Sequence, residues 1–188
     1  MLVILNLLRP EGCILISRFH MVALLIFLTS PAVSEAADFV GQVVVSDGDT
    51  IEMHGTRIRI WGVDAVESPQ VCFDKVGKNV RCGSLAANAL AGFIAHQTVS
   101  CTELSRDRYR RPVATCLVGG VDIGEWLVKS GWAIDYSKYS NGRYAEAQET
   151  ARSAGLGNWA YAWQYPEKFR ACLHTKGGKA LKCSQQQL

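Results

Sequence analysis

From residue 39 onward, apolar and polar positions fall into short blocks whose period changes along the chain. Residues 39–45 form an apolar, largely β-branched run. Asp47-Gly48-Asp49 turns the chain, residues 50–53 return, His54-Gly55 turns it again, and residues 57–63 alternate charged with apolar side chains. A period of two between such turn residues predicts a three-stranded meander. The period then lengthens. Ala86, Leu90, Phe93 and Ile94 recur at helical spacing, which predicts a helix capped by Ser84 and running to about His96. Residues 99–104 and 113–118 read as two further strands closed by Gly119-Gly120. Residues 123–129 and 144–154 read as helices ended by Gly131 and Gly155. The order β-β-β-α-β-β-α-α with short strands predicts an α+β fold, mainly β: a five-stranded barrel of OB type with about three helices. The five tryptophans, Trp61, Trp126, Trp132, Trp159 and Trp163, are expected in its core.

The first 36 residues follow a different pattern. Arg9 and Arg18 precede the apolar run 21–28, and Ser34-Glu35-Ala36 supplies small residues. This order reads as a secretory signal peptide cleaved after Ala36, with Met21 an alternative start. An uncleaved leader holding the protein on the outer face of a membrane is the rival, although the apolar core is shorter than the ~20 residues that span a bilayer. The organisation expected is a leader over 1–36, a barrel domain over 37–170 and a basic, cysteine-bearing tail over 171–188.

Cysteine usage agrees with export, because loss of the leader discards Cys13 and leaves Cys72, Cys82, Cys101, Cys116, Cys172 and Cys183. An even set in an exported chain implies three disulfides. Sequence alone leaves about 15 connectivities open for six cysteines; local order favours Cys72–Cys82, Cys101–Cys116 and Cys172–Cys183. Structural zinc is disfavoured, since no C-x-x-C pair occurs and His20, His54, His96 and His174 are scattered singly. The net charge of +3 is mild. Its distribution says more: Arg106, Arg108, Arg110 and Arg111 lie together, and Lys168, Arg170, Lys176, Lys179 and Lys182 follow Pro166. Such clusters suit a polyanion or a solvated face.

Three charged motifs carry the chemistry: Asp47-Gly48-Asp49-Thr50, then Arg59-Ile60-Trp61-Gly62-Val63-Asp64-Ala65-Val66-Glu67, then Asp107-Arg108-Tyr109-Arg110-Arg111. Carboxylates from two segments can hold a hard cation, a further carboxylate can activate water, and arginine forks can grip a phosphate whose charge grows in the transition state. Each motif alone also has a plain structural meaning, as a hairpin turn, an exposed strand arginine or a polar loop. The first is not an EF-hand, because the loop lacks the later ligands and glycine.

Taken together and in this order, over residues 39–170, the motifs resemble those of the staphylococcal nuclease (thermonuclease) family. Its landmarks are D-G-D-T after the first strand, R-x-x-G-[IV]-D-[AT]-P-E at the third and D-x-Y-G-R before the fifth. The resemblance implies an OB-type barrel and a calcium-dependent nuclease that cuts DNA and RNA to leave 5′-hydroxyl and 3′-phosphate ends. It implies calcium held by Asp49, Asp64 and the carbonyl of Ala65 with Asp47 in support. Glu67 would serve the attacking water as general base, and Arg59 and Arg111 the phosphate.

Two positions depart from the family pattern: Val66 stands for its proline and Arg110 for its glycine. The first frees the backbone before Glu67, and the second asks for a different turn if that glycine has φ > 0. Arg108, Tyr109, Arg110, Tyr136 and Tyr139 are the candidate nucleic-acid contacts. The tyrosines either stack on bases or pack the barrel rim; a stacked base is worth ~1–3 kcal/mol. The expectation is therefore a secreted or periplasmic, monomeric, disulfide-stabilised nuclease acting on single-stranded or unstructured DNA and RNA, with no stable protein partner. A non-catalytic OB module that binds nucleic acid or protein is the alternative.

Overall fold

The computed structural model describes residues 38–175 and 179–185. The expected leader lies outside the described residues, as do Lys176 and the last three residues of the tail.

The meander forms where the sequence places it. β1 (Phe39–Gly41) and β2 (Val44–Asp47) lead into β3 (Thr50–Met53), β4 (Thr56–Ile60) and the short β5 (Val63–Ala65). A small hairpin, β6 (Cys72–Phe73) and β7 (Asn79–Val80), precedes α1 (Cys82–Ile94), and β8 (Val99–Arg106) and β9 (Pro112–Val118) follow. β10 (Val121–Asp122) runs into α2 (Ile123–Lys129), then β11 (Ala133–Asp135), α3 (Ser137–Ser140) and α4 (Ala145–Ser153). A 3₁₀ turn (Gly157–Ala160) leads to α5 (Pro166–Thr175) and α6 (Ala180–Ser184).

The main sheet has seven strands, ordered β1-β8-β9-β4-β3-β2 with β10 on β9. Its two outer strands are halves of one chain segment, parted only by Gln42 and Val43, so the edges must meet and the sheet closes into a barrel. Counting β1 and β2 as one interrupted strand, and setting aside the two-residue β10, recovers the five long strands of an OB-type barrel. β4 and β9 pair in parallel, the remaining partners antiparallel.

Alternation decides what is inside. Ile51, Met53, Ile58 and Ile60 alternate inward on β3 and β4, and Leu90 and Ile94 of α1 and Leu127 of α2 meet them in one buried cluster. Burying each such side chain is worth about 1.5–3 kcal/mol before entropy is charged against it. Trp61, Trp126 and Trp132 pack against this core, while Trp159 and Trp163 form an edge-to-face pair elsewhere. Cys101 and Cys116 are directly opposite on β8 and β9 and are disulfide-bonded, as are Cys72 with Cys82 and Cys172 with Cys183.

Three features differ from the sequence reading. Ser84 lies inside α1, whose N-cap is Arg81 with no side-chain cap, because Cys82 and Gly83 are already helical. There are six α-helices among the described residues rather than about three. Of the extra three, α3 and α6 are too short to show a period, and α5 sits where charge and cysteines dominate the sequence. α5 also runs straight through residues 170 and 171, where the barrel domain was expected to end. The tail is thus helical on both sides of its cysteine clip, with Phe169, Cys172 and Cys183 forming a small buried cluster.

Candidate active site

Four carboxylates and two guanidinium groups gather beside β4 and β5, and strand pairing explains how. β2 and β3 are joined by the two residues Gly48 and Asp49, and Thr50 pairs with Arg59, so Asp49 emerges beside the Arg59 side chain. Ile60 N donates to the Asp49 carbonyl at 2.9 Å and fixes that loop to β4. Gly48 is required by packing, since a Cβ there would stand 2.8 Å from the Ala65 Cβ and 3.2 Å from that of Ala86. After the Trp61-Gly62 turn, β5 pairs with β11 and holds Asp64 opposite Ile134.

Asp49 and Asp64 are buried, at 6 % and 2 % exposure. Arg59 Nη2 lies 3.0 Å from Asp49 Oδ2 and 2.8 Å from Asp64 Oδ1, so one nitrogen bridges both acids. Asp49 Oδ1 accepts from Thr50 Oγ1 at 2.9 Å, and Ala65 N donates to Asp49 Oδ2 at 3.3 Å. Asp47 Oδ1 accepts from Gly48 N and, at 2.9 Å, from Ser68 Oγ, which ties the first acidic loop to the one carrying Glu67.

The Glu67 loop is held from three further sides. Val66 is buried against the Cys72–Cys82 disulfide and Ala86, so packing supplies the restraint that proline would give. Glu67 N donates to Gln70 Oε1 at 3.2 Å, and the Gln70 amide donates in turn to the Gln164 carbonyl just ahead of α5. Gly83 lets the start of α1 touch the Glu67 carbonyl, a place where no Cβ fits.

Arg170 completes the cluster. Its Nη1 donates to Asp64 Oδ1 at 3.0 Å and to Glu67 Oε1 at 2.6 Å, and its Nη2 donates to Asp64 Oδ2 at 2.9 Å. Sequence reasoning missed this residue, placing it only in a basic tail. The Pro166 start and the spacing of Phe169 with Cys172 could have revealed the helix, but nothing local points Arg170 at Asp64. Ser68 and Gln70 were missed for the same reason: their partners are 21 and 94 residues away.

Electrostatics follows from the count. Asp47, Asp49, Asp64 and Glu67 face Arg59 and Arg170, so the formal sum is 2 − 4 = −2. Burial, reinforced by Asp64 and Asp47 and opposed by Arg59, lifts the Asp49 carboxyl above its ordinary range. Burial likewise raises Glu67 despite Arg170. For Arg59 and Arg170, burial alone would favour discharge, but the carboxylates outweigh it and hold both guanidinium groups charged. Burial thus leads in the acids, whereas the neighbouring carboxylates decide the arginines.

Among the described residues, no group of three or more His, Cys, Asp and Glu side chains could hold a metal ion. Asp49 and Asp64 nonetheless stand together, sharing one Arg59 nitrogen and lying beside the Ala65 backbone. Such a set fits a hard divalent ion that keeps water or substrate oxygens in its remaining positions. A charge of −2 matches that ion.

The third motif sits apart from these contacts. Arg111 Nε donates to Asp107 Oδ2 at 2.8 Å, and Asp107 Oδ1 accepts from the backbone N–H groups of Tyr109 and Arg111. Burial, which would raise Asp107, is outweighed by these bonds, and its pKa is lowered. Arg111 stands two residues before Val113, the β9 residue paired with Arg59, so it lies at the same end of the barrel within about two strand residues, roughly 7 Å. Arg110 adopts φ 65°, the left-handed region that glycine tolerates best. Tyr109 is exposed, with the Arg108 guanidinium 4.8 Å and that of Arg111 5.8 Å from its ring centre. Tyr136 and Tyr139 meet edge to face at 4.9 Å. Tyr136 N donates to the Gly62 carbonyl at 2.9 Å, which sets it beside the turn into β5, and burial, then Asp64, raises its hydroxyl pKa.

Residues 57–161 match the sequence profile described as "Staphylococcal nuclease homologue". The chain is 45 % identical over 126 residues to "Succinoglycan biosynthesis protein ExoI" of Rhizobium meliloti (strain 1021), covering 66 % of each chain. It is 29 % identical over 143 residues to an "Uncharacterized endonuclease" of Haemophilus influenzae, covering 73 % of this chain and 75 % of that one. A third relative, an "Uncharacterized endonuclease" of Escherichia coli O157:H7, is 31 % identical over 137 residues, 69 % of this chain and 83 % of its own. The profile spans more than half of the 188 residues and carries two of the three charged motifs whole, so the chain belongs to the staphylococcal nuclease family, and its enzyme class is nuclease.

Proposed function

We propose that this protein is a calcium-dependent phosphodiesterase that hydrolyses DNA and RNA with low sequence specificity. The observation that carries this reading is the joint placement of Asp49, Asp64, Arg59 and Glu67, with two units of negative charge left uncompensated. A phosphodiester is shielded from attack by its own negative oxygens, so charge neutralisation and positioning must supply most of the rate. Asp49, Asp64 and the Ala65 carbonyl would hold calcium, with Asp47 in support; the ion would supply charge stabilisation at the phosphate oxygens.

The protein's own groups do the rest. Glu67 takes a proton from the attacking water as a new P–O bond forms and the P–O5′ bond breaks, and the departing O5′ takes a proton from solvent to become the 5′-hydroxyl. A positioned general base is worth on the order of 10²–10⁴ in rate, and the burial that raises Glu67 makes it a better proton acceptor. Arg59 and Arg111 stabilise the growing phosphate charge, each through a fork that lysine cannot copy. Arg108, Arg110 and Tyr109 form a charged, aromatic rim suited to single strands, with Tyr136 and Tyr139 as further stacking surfaces. The three disulfides support an exported enzyme working outside the cytoplasm.

Hydrolysis of single-stranded DNA and RNA by oxidised protein, with calcium, with chelator, and with Glu67→Gln beside it, tests the reading. Calcium-dependent cleavage that falls at least about 10²-fold in the variant is expected. The Arg170 contact with Glu67 favours one second reading, a module that binds nucleic acid without cutting it. Binding without cleavage at any calcium concentration would select it.

A further inference from the structure

Arg170 lies outside residues 57–161 that match the family, yet it makes the fullest set of charged contacts in the site. Its fork takes both oxygens of Asp64 and one of Glu67. Both Asp64 oxygens accept from Arg170, and Oδ1 also from Arg59, so the fork competes with any ion for this buried acid. The pair is partly desolvated, with the Arg170 side chain 29 % and the Asp64 side chain 2 % exposed, and a charge-assisted fork of this kind is not a weak surface contact.

The backbone behind Arg170 is anchored. Phe169 is fully buried next to it, and Cys172, two residues on, is bonded to Cys183. Val71 N donates to Ser184 Oγ at 3.0 Å, which fastens α6 to the loop after Glu67. Gln70 fastens the start of α5 to the same loop. The helical hairpin therefore delivers one guanidinium to one place, and only the side chain is free to swing.

We propose that Arg170 is the resident counter-ion of the cation site: it fills Asp64 and restrains Glu67 in the ion-free protein, and divalent-ion binding is an exchange in which the fork gives up Asp64. This rests on the reading of Asp49 and Asp64 as cation ligands and adds the group that competes for them. Arg170 is then a positioning residue, acting through Asp64 and Glu67. Removing its charge takes the cluster from −2 to 1 − 4 = −3, frees Asp64 Oδ2 and leaves Oδ1 with Arg59 alone.

The test is calorimetric titration of calcium chloride into the full, oxidised, metal-stripped protein without nucleic acid. Arg170→Gln is expected to bind calcium tighter by about tenfold or more, and Arg170→Lys by less, because the ammonium keeps the charge but loses the fork. Lys168→Gln removes the same charge from an exposed site on the same helix and is expected to stay within about twofold of the parent. Should Arg170→Gln misfold, Arg170→Lys and the paired Cys172→Ser, Cys183→Ser protein decide, and both should bind calcium tighter than the parent. Unchanged or weaker binding in the Arg170 variants, an equal shift in Lys168→Gln, or no calcium binding by any of these proteins would overturn the exchange. Hydrolysis measured alongside separates the two readings. A shifted affinity without cleavage would sink the nuclease and leave the exchange, whereas calcium-dependent cleavage with unshifted affinity would sink the exchange alone.

Discussion

Ser68 Oγ donates to Asp47 Oδ1 at 2.9 Å, and through this bond the first acidic loop holds the loop that carries the base. Ser68 follows Glu67 directly, so its loss should let the base wander more than it destabilises the fold. Ser68→Ala is expected to cost about 1 kcal/mol of stability and to lower kcat on the order of threefold to tenfold. Steady-state kinetics beside a urea titration checks the split; a loss confined to stability would make Ser68 merely structural.

Arg59 compensates two buried acids with one nitrogen. Arg59→Gln strands Asp49 and leaves Asp64 to Arg170 alone, and a buried charge that loses its partner costs about 3–5 kcal/mol. The loss should be large in chelator and partly recovered in calcium. Denaturation curves with and without the ion report this, and equal losses in both would show that the ion does not bind between these carboxylates.

Calcium should stabilise the protein more as pH rises. Folding raises the pKa of Asp49 and Glu67 above their ordinary 3.8 and 4.5. The stability this brings is full below those values and is lost as pH climbs through the raised folded ones, where the ion-free cluster must carry its excess charge. A bound ion neutralises the cluster in that range only. At a hundredfold excess over Kd it adds about 2.7 kcal/mol, or roughly 5–10 °C in Tm for a domain of this size. Melting in calcium and in chelator from about pH 4 to about pH 8 should show a widening gap. A gap that stays constant would count against the cation site.

Gly83 and Gly92 lie on the same helix and predict opposite outcomes. A Cβ at 83 would collide with the Glu67 carbonyl and stand 2.8 Å from Ser68 Cα, whereas one at 92 meets nothing within 4 Å. Gly83→Ala should displace the base, costing about 1–3 kcal/mol and on the order of 10² in kcat. Gly92→Ala should instead gain roughly 0.5–1 kcal/mol with kcat unchanged.

The legible part of the protein was the part written in local period and local motif. The alternation over Arg57, Ile58, Arg59 and Ile60 gave β4 its inner and outer faces, and the turn at Asp47-Gly48-Asp49 placed Asp49 beside Arg59. All three disulfides join cysteines no more than 15 residues apart, which is why local order sufficed to pair them. The contacts of Arg170 with Asp64 span 106 residues and depend on how α5 docks, which no short pattern encodes. Charge composition also misled there, because a basic tail rich in Lys and Arg reads as solvated whether or not one arginine turns inward.

Arg110 sets stability against binding. Its φ of 65° is a conformation that costs a side-chain residue about 1–2 kcal/mol, and its carbonyl is engaged by Arg106 Nη1 at 3.2 Å. Arg110→Gly relieves that strain but gives the unfolded chain more freedom, so the net gain should be about 0.5–1 kcal/mol. If the exposed guanidinium meets a nucleic-acid phosphate, the same change removes one ion contact. The salt dependence of single-strand binding, log K against log salt, should then become shallower by about 0.7. A higher Tm together with weaker, less salt-sensitive binding in chelator is the expected pair of results. Stabilisation with unaltered binding would place Arg110 off the path of the strand and leave Arg108 and Arg111 as its cationic rim.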